Sequence, residues 1–503
     1  MGHFSWIDGG IVGLYLVATM AAGVMVRKYV GKVEHFLIAG REMNLYLGIA
    51  SLAATEFGIV TCMYTAQNGF DKGFAGATPG ILQAVAMFLV GLTGFCVKPL
   101  RDAGVMTIPE LFDQRFGSRV RWLSGVVIVL GGLLNMGVFL RTGGDFLVTV
   151  CGFDAKYLVL MMSALLIAVA IYTILGGMLS VLVTDFLQFI VMSIGLIAVT
   201  VLVLRNVGWN ALVGAVQTHY GDGGFNPFKH PDMGWSYVVF NALLNFAAVL
   251  TWQTTIQRLL AAKDTRTGQR IYTHTSFFFV CRFLIPAIWG IGALATLSPA
   301  VVGDNSLLAM PKFLGTFVPV GLMGILIAAM LAADMSTDSS YMLTWGSVIY
   351  NDIMGPFRKT KWSEKRGILV NRMIIALIGV FLFFFGLFYK LEGDLWTYLG
   401  VTGTIYLSSM SVLLIACCYW KRANSWGATA AIISGAFFPT MFLIIEKQSP
   451  TLKEFLGGDK SPYYTGIAAY VIAALAMIAG SLLKPGEKAR SQAQLGNERQ
   501  RTS

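Results

Sequence analysis

Charge is what this chain is shortest of. Asp, Glu, Lys and Arg make up 13% of its 503 residues, 56% are hydrophobic, and the mean hydropathy is +0.68. A soluble domain could not cover its core with so little polar surface, so a water-soluble fold is excluded. Histidine is scarcer still: the five are His3, His35, His219, His230 and His274, none deep in an apolar run. There is no HExxH motif, no P-loop and no clustered Ser/His/Asp set, so enzymatic chemistry has little to stand on. The six cysteines (Cys62, Cys96, Cys151, Cys281, Cys417 and Cys418) lie mostly within apolar runs and lack CxxC spacing. Neither a disulfide framework nor a zinc site is indicated. Long polar stretches are missing too, and with them the soluble domain that a membrane sensor would need.

What the chain has instead is about thirteen runs of roughly 20 mainly apolar residues, each enough for one membrane crossing. They cover 7–26, 45–70, 80–97, 122–150, 157–174, 183–204, 237–256, 275–297, 317–348, 368–388, 395–419, 428–445 and 465–483. The first is too long for the apolar core of a cleaved signal and has no basic segment before it, so it reads as a retained helix. With the N-terminus outside, cytoplasmic segments hold 25 of the 37 Lys and Arg, external segments nine, and spans the other three, Arg141, Arg282 and Arg372. That asymmetry predicts an external N-terminus and a cytoplasmic C-terminus in the plasma membrane. Arg258, Lys263, Arg266 and Arg270 are counted among the cytoplasmic topology residues. The net charge of +11 is then a topological signal that attracts anionic lipid of the bilayer and needs no nucleic-acid partner. Residues 1–483 read as one transmembrane domain and 484–503 as a basic, disordered tail.

Three polar interruptions stand out. In the ninth span, Ala333, Ser336, Thr337 and Ser340 fall at i, i+3, i+4 and i+7, one stripe of a helix, with Asp334 and Asp338 in the same run. Hydroxyls beside a backbone carbonyl are hard ligands suited to a cation such as sodium, and small residues also serve close helix packing. At about 1.5 Å rise per residue, Ala333 lies near the middle of its span, and Ala54-Thr55-Glu56-Phe57-Gly58 lies about 15 Å into the second span, at similar depth. Gly58 makes that stretch a candidate helix break, which would free carbonyl oxygens. The third feature, Gly176-Gly177 followed by Thr184-Asp185-Phe186, reads as a tight turn with Asp185 just inside the next helix, either solvated at the inner face or sharing a cation with Ser339 and Ser340.

Phe36-Leu37-Ile38-Ala39-Gly40-Arg41, Thr107-Ile108-Pro109-Glu110-Leu111 with Arg115-Phe116-Gly117, the Gly176-Gly177 to Gln188 segment and Ala333 to Ser340 together resemble the sodium:solute symporter family over roughly residues 36–445. The resemblance implies an all-α integral membrane protein of leucine-transporter type, with inverted five-helix repeats at about 45–204 and 237–419. It implies sodium as the coupling ion, bound by the backbone of Ala54 and Phe57, the carbonyl of Ala333 and the side chains of Ser336 and Thr337. A second sodium would use Asp185, Ser339 and Ser340. The solute would lie beside the breaks in spans two and seven, near Thr55, Glu56, Gly58, Thr61, Gln83, Asn135, Asn245, Trp252 and Gln253. The expected activity is sodium-coupled import of a small polar organic solute by alternating access. Glu56, Asp334 and Asp338 depart from the family pattern, and a proton-coupled symporter using Glu56 or Asp334 is the alternative, ahead of a sensor or channel.

Overall fold

An apolar run in lipid can satisfy its backbone only internally, by helical hydrogen bonds, and this chain does so. The computed structural model describes residues 4–26, 31–358, 360, 362–390 and 393–484. The expected disordered tail after Lys484 lies outside them. Among the described residues there is no β-strand, only an isolated bridge between Met43 and Ala262. The helices that build the bundle are α1 (Trp6–Val26), α2 (Leu45–Thr55), α3 (Ile59–Lys72), α4 (Thr78–Thr93), α5 (Ser118–Met136), α6 (Phe139–Cys151), α7 (Leu158–Asn206), α8 (Gly234–Thr251), α9 (Gln253–Ala261), α10 (Thr265–Thr296), α11 (Leu322–Val348), α12 (Glu364–Phe388), α13 (Leu395–Tyr419), α14 (Ser425–Gln448) and α15 (Ser461–Leu483).

Among the described residues eleven helical runs are long and apolar enough to cross a membrane, where the sequence predicts thirteen spans. The difference has two sources. The second half of span two passes through a short 3-10 turn (Gly73–Ala77) into span three, giving one run over Ile59–Thr93. Spans five and six both fall within α7, whose helical bonding continues past Gly177 although that residue is far from helical (φ 54°, ψ −149°). The chain nevertheless reverses there. A Cβ built on Gly23 of α1 would lie 2.8 Å from Tyr172 Cβ and 3.2 Å from Thr184 Cγ2, whereas an unbroken helix would hold those two residues about 18 Å apart.

α11 occupies the centre. All its residues except Leu322 and Ile325 are buried, as its hydroxyls and carboxylates require, since exposure to lipid would leave them unsatisfied. It packs most extensively on α7, and α10 packs on α3 and α4. The outer helices turn apolar side chains outward, among them Leu14, Val17, Leu377, Phe388, Ile433 and Leu475. Two helices in the middle of the bundle are interrupted: α2 and α3 part at Glu56–Gly58, and α8 and α9 part at Trp252 (φ −64°, ψ 113°).

Candidate functional site

The first break is made by a tightening of the last turn of α2. Glu56 N–H donates to the Leu52 carbonyl (3.1 Å) and Phe57 N–H to that of Ala54 (3.3 Å). Gly58 is then extended (φ −103°, ψ 178°), and α3 begins at Ile59. The break lies against the middle of α11, so closely that a Cβ on Gly58 would stand 2.8 Å from Thr337 Oγ1. Across this contact Thr337 Oγ1 donates to the Thr55 carbonyl (3.0 Å), and Ser336 Oγ donates to Asp185 Oδ1 (2.6 Å). Each hydroxyl spends its proton on a neighbour and keeps lone pairs to offer. Ala54 and Phe57 flank the break, Ala333 lies one turn before Ser336 and Thr337, and none of the five is more than 2% exposed. An all-oxygen, dry donor set of this kind fits a small cation such as sodium.

Asp185 is not solvated: it is fully buried, and its charged partner is an arginine that also contacts Ser340. Arg258 Nη2 pairs with Asp185 Oδ2 at 3.2 Å, with both side chains wholly inaccessible. The same guanidinium donates to Thr55 Oγ1 (2.7 Å), Ser51 Oγ (3.2 Å) and Ser340 Oγ. Ser339 Oγ turns to the Ser336 carbonyl at 3.1 Å. Arg258 is therefore not a cytoplasmic topology residue. The break at Trp252 lets α9 run on to Ala261, so a side chain two positions past the expected end of span seven stays inside the bundle.

Between the two breaks lies a cavity of about 70 Å³. Seven of the nine residues expected around the solute line it: Thr55, Glu56, Thr61, Gln83, Asn135, Asn245 and Trp252. Gly58 packs instead on Thr337, and Gln253 is buried outside the lining. Glu56 Oε2 accepts from Arg282 Nη1 (3.1 Å), and its Oε1 accepts from Thr254 (3.1 Å) and Thr255 (2.9 Å). Arg282 Nη2 donates to Tyr64 Oη at 2.6 Å. Trp252 stacks on Tyr406 (5.7 Å between centroids) and donates from its indole to Tyr341 Oη (3.1 Å). Asp334 and Asp338 are buried away from this cavity, and Asp334 Oδ2 and Asp338 Oδ1 have no hydrogen-bond partner among the described residues.

The profile of the sodium:solute symporter family matches residues 36–435. The chain belongs to that family. Curated relatives include the sodium/glucose cotransporter 4 of Danio rerio, 27% identical over 480 residues (87% of this chain, 72% of that protein). The osmoregulated proline transporter OpuE of Bacillus subtilis (strain 168) is 26% identical over 449 residues (84% of this chain, 86% of that protein). Among solved structures, a sodium-coupled sialic acid symporter in a substrate-bound outward-open state superposes with a TM-score of 0.82 at 19% identity, covering 97% of this chain and all of that one. Mhp1, a nucleobase-cation-symport-1 family transporter in a closed conformation, gives 0.56 at 14% identity, covering 92% and 98%. The fold is of leucine-transporter type, and this sodium:solute symporter is a multi-pass membrane transporter and not an enzyme. It couples solute movement to sodium, and its relatives' solutes are small and polar.

Several residues of the symporter's cavity escaped the sequence reading: Tyr64, Phe139, Arg282, Tyr341 and Trp396. One signal was available. Glu56 and Arg282 are opposite charges inside apolar spans, where each needs a partner.

Proposed function

We propose that this symporter imports a small polar organic solute together with one sodium ion, held by Ala54, Phe57, Ala333, Ser336 and Thr337, with the solute in the adjoining cavity. The N-terminus lies outside and the C-terminus in the cytoplasm of the plasma membrane, with residues 1–483 forming one transporter domain. The observation that carries this reading is the hydrogen bond from Thr337 to the Thr55 carbonyl. Both residues also line the cavity, and Thr337 belongs to the proposed ligand set, so an ion at the break and a solute beside it would share the Thr337 side chain. Binding of either orders what the other must bind, which is a physical basis for coupling. Asp185 is paired with Arg258, which supports one sodium in place of two. Glu56 has Arg282 as a cationic partner, which favours sodium over a proton carried by that carboxylate.

Replacing Ser336 and Thr337 together by Ala should raise the sodium concentration for half-maximal uptake by about tenfold or more while the protein remains folded, as loss of two ligands implies. Unchanged sodium dependence in proteoliposomes would sink the assignment.

A further inference from the structure

Resting on the assignment of this cavity to the solute, we propose that the solute is a small zwitterion, an amino acid or N-alkylated amino acid, whose carboxylate and ammonium groups engage Arg282 and Glu56. Among the described residues lining the cavity these are the only Asp, Glu, Lys or Arg side chains, so the wall carries one charge of each sign and no excess. A singly charged solute can set its charge against only one of the two side chains, and a cation would in addition face the sodium ion. A zwitterion adds one charge of each sign and can set each against its opposite.

The pair is also incompletely used. Arg282 directs Nη1 to Glu56 and Nη2 to Tyr64, while Nε has no hydrogen-bond partner among the described residues. A buried donor left over in a binding wall wants an acceptor, and a carboxylate is the strongest one. Two of the amide donors that a neutral polyol would use are already spent. Asn135 spends its Nδ2 on the Leu399 carbonyl (2.9 Å) and Thr402 Oγ1 (3.1 Å), and Asn245 spends its own on the Asn241 carbonyl (2.8 Å). Phe139, Leu244 and Trp252 supply the apolar side that an aliphatic stem would cover.

The test uses the full chain in proteoliposomes with a sodium gradient, reading sodium-dependent uptake of labelled solutes, since one sodium carried with one lactate moves no net charge. The panel is alanine, proline and glycine betaine as zwitterions, proline methyl ester as a cation, lactate as an anion, and glucose and myo-inositol as neutral solutes. At least one zwitterion should show sodium-dependent uptake, with its singly charged analogues weaker by about a hundredfold or more. Silence from every zwitterion overturns the proposal. If glucose, myo-inositol or lactate is then taken up with sodium, the class is wrong and sodium symport stands; if no solute moves with sodium and sodium does not stabilise the purified protein, the symport assignment falls with it. Glu56→Gln, checked for folding by size-exclusion chromatography, should lower the preference for proline over lactate by about tenfold or more, as loss of one charge-assisted contact implies. A preference unchanged in that folded variant also overturns the proposal.

Discussion

Replacing Arg258 by Met keeps much of the side-chain volume and removes the charge that faces Asp185. Asp185 would retain hydroxyl donors from Ser51 and Ser336 and lose its ion-pair partner at 3.2 Å. Breaking a buried pair from one side costs about 3–5 kcal/mol, because the remaining charge stays in a low-dielectric site. Sodium can offset much of that. A site with a Kd of about 1 mM, bathed in about 100 mM sodium, returns about 2.7 kcal/mol. Arg258→Met should therefore melt far below the unmodified protein in choline buffer and recover more than half of the loss in sodium. In proteoliposomes the charge moved per solute should rise by one. The double variant Arg258→Met/Asp185→Asn, with neither charge, should melt closer to the unmodified protein without sodium and show no extra sodium-dependent gain. Equal sodium-dependent stabilisation and an equal coupling ratio in Arg258→Met and the unmodified protein would refute the idea that the guanidinium stands where an ion would otherwise bind.

Gly58→Ala places a methyl group 2.8 Å from Thr337 Oγ1, forcing that hydroxyl aside by several tenths of an ångström; apparent sodium affinity, read from stabilisation without solute, should fall about tenfold or more, and an unaltered affinity would remove Thr337 from the ligand set. Asp264 caps α10 by accepting from Thr267 N–H at 2.6 Å, and that bond holds its carboxyl below the usual carboxylate range. Because the folded form binds its proton less readily than the unfolded one, the cap contributes above the ordinary carboxylate range and is lost as pH falls through the lowered value. Asp264→Ala should cost about 1 kcal/mol at neutral pH, and the gap should narrow as pH drops below about 4; a melting difference that is constant with pH would show that the carboxylate is not the source.

The sequence was most informative where periodicity and helix rise suffice. The break at Glu56–Gly58 and the stripe of Ala333, Ser336 and Thr337 were placed at one depth by counting residues, and the structure brings them into contact. Depth alone could not tell which far-apart side chains share a partner. Glu56 and Arg282 are separated by 226 positions, and nothing local to either reveals the other. Arg258 was misplaced because hydropathy ends a span where polar residues begin, while a broken helix carries polar residues onward into the bundle. The span count went astray for a related reason: turns as tight as Gly73–Ala77 and Gly177 leave helical bonding continuous, so two expected spans become one run.

The reversal at Gly177 also bears on how the protein is made and mapped. Gly176, Gly177 and Met178 are all buried, and a Cβ on Gly177 would fall 2.6 Å from the Phe36 carbonyl oxygen. The two arms of α7 meet without a hydrophilic linker, so they have to enter the bilayer during synthesis as one hairpin. Epitope tags, protease sites or glycosylation acceptors inserted at that corner would pry the hairpin open and report their own damage, so the sidedness of this part of the chain has to be read from its flanking loops.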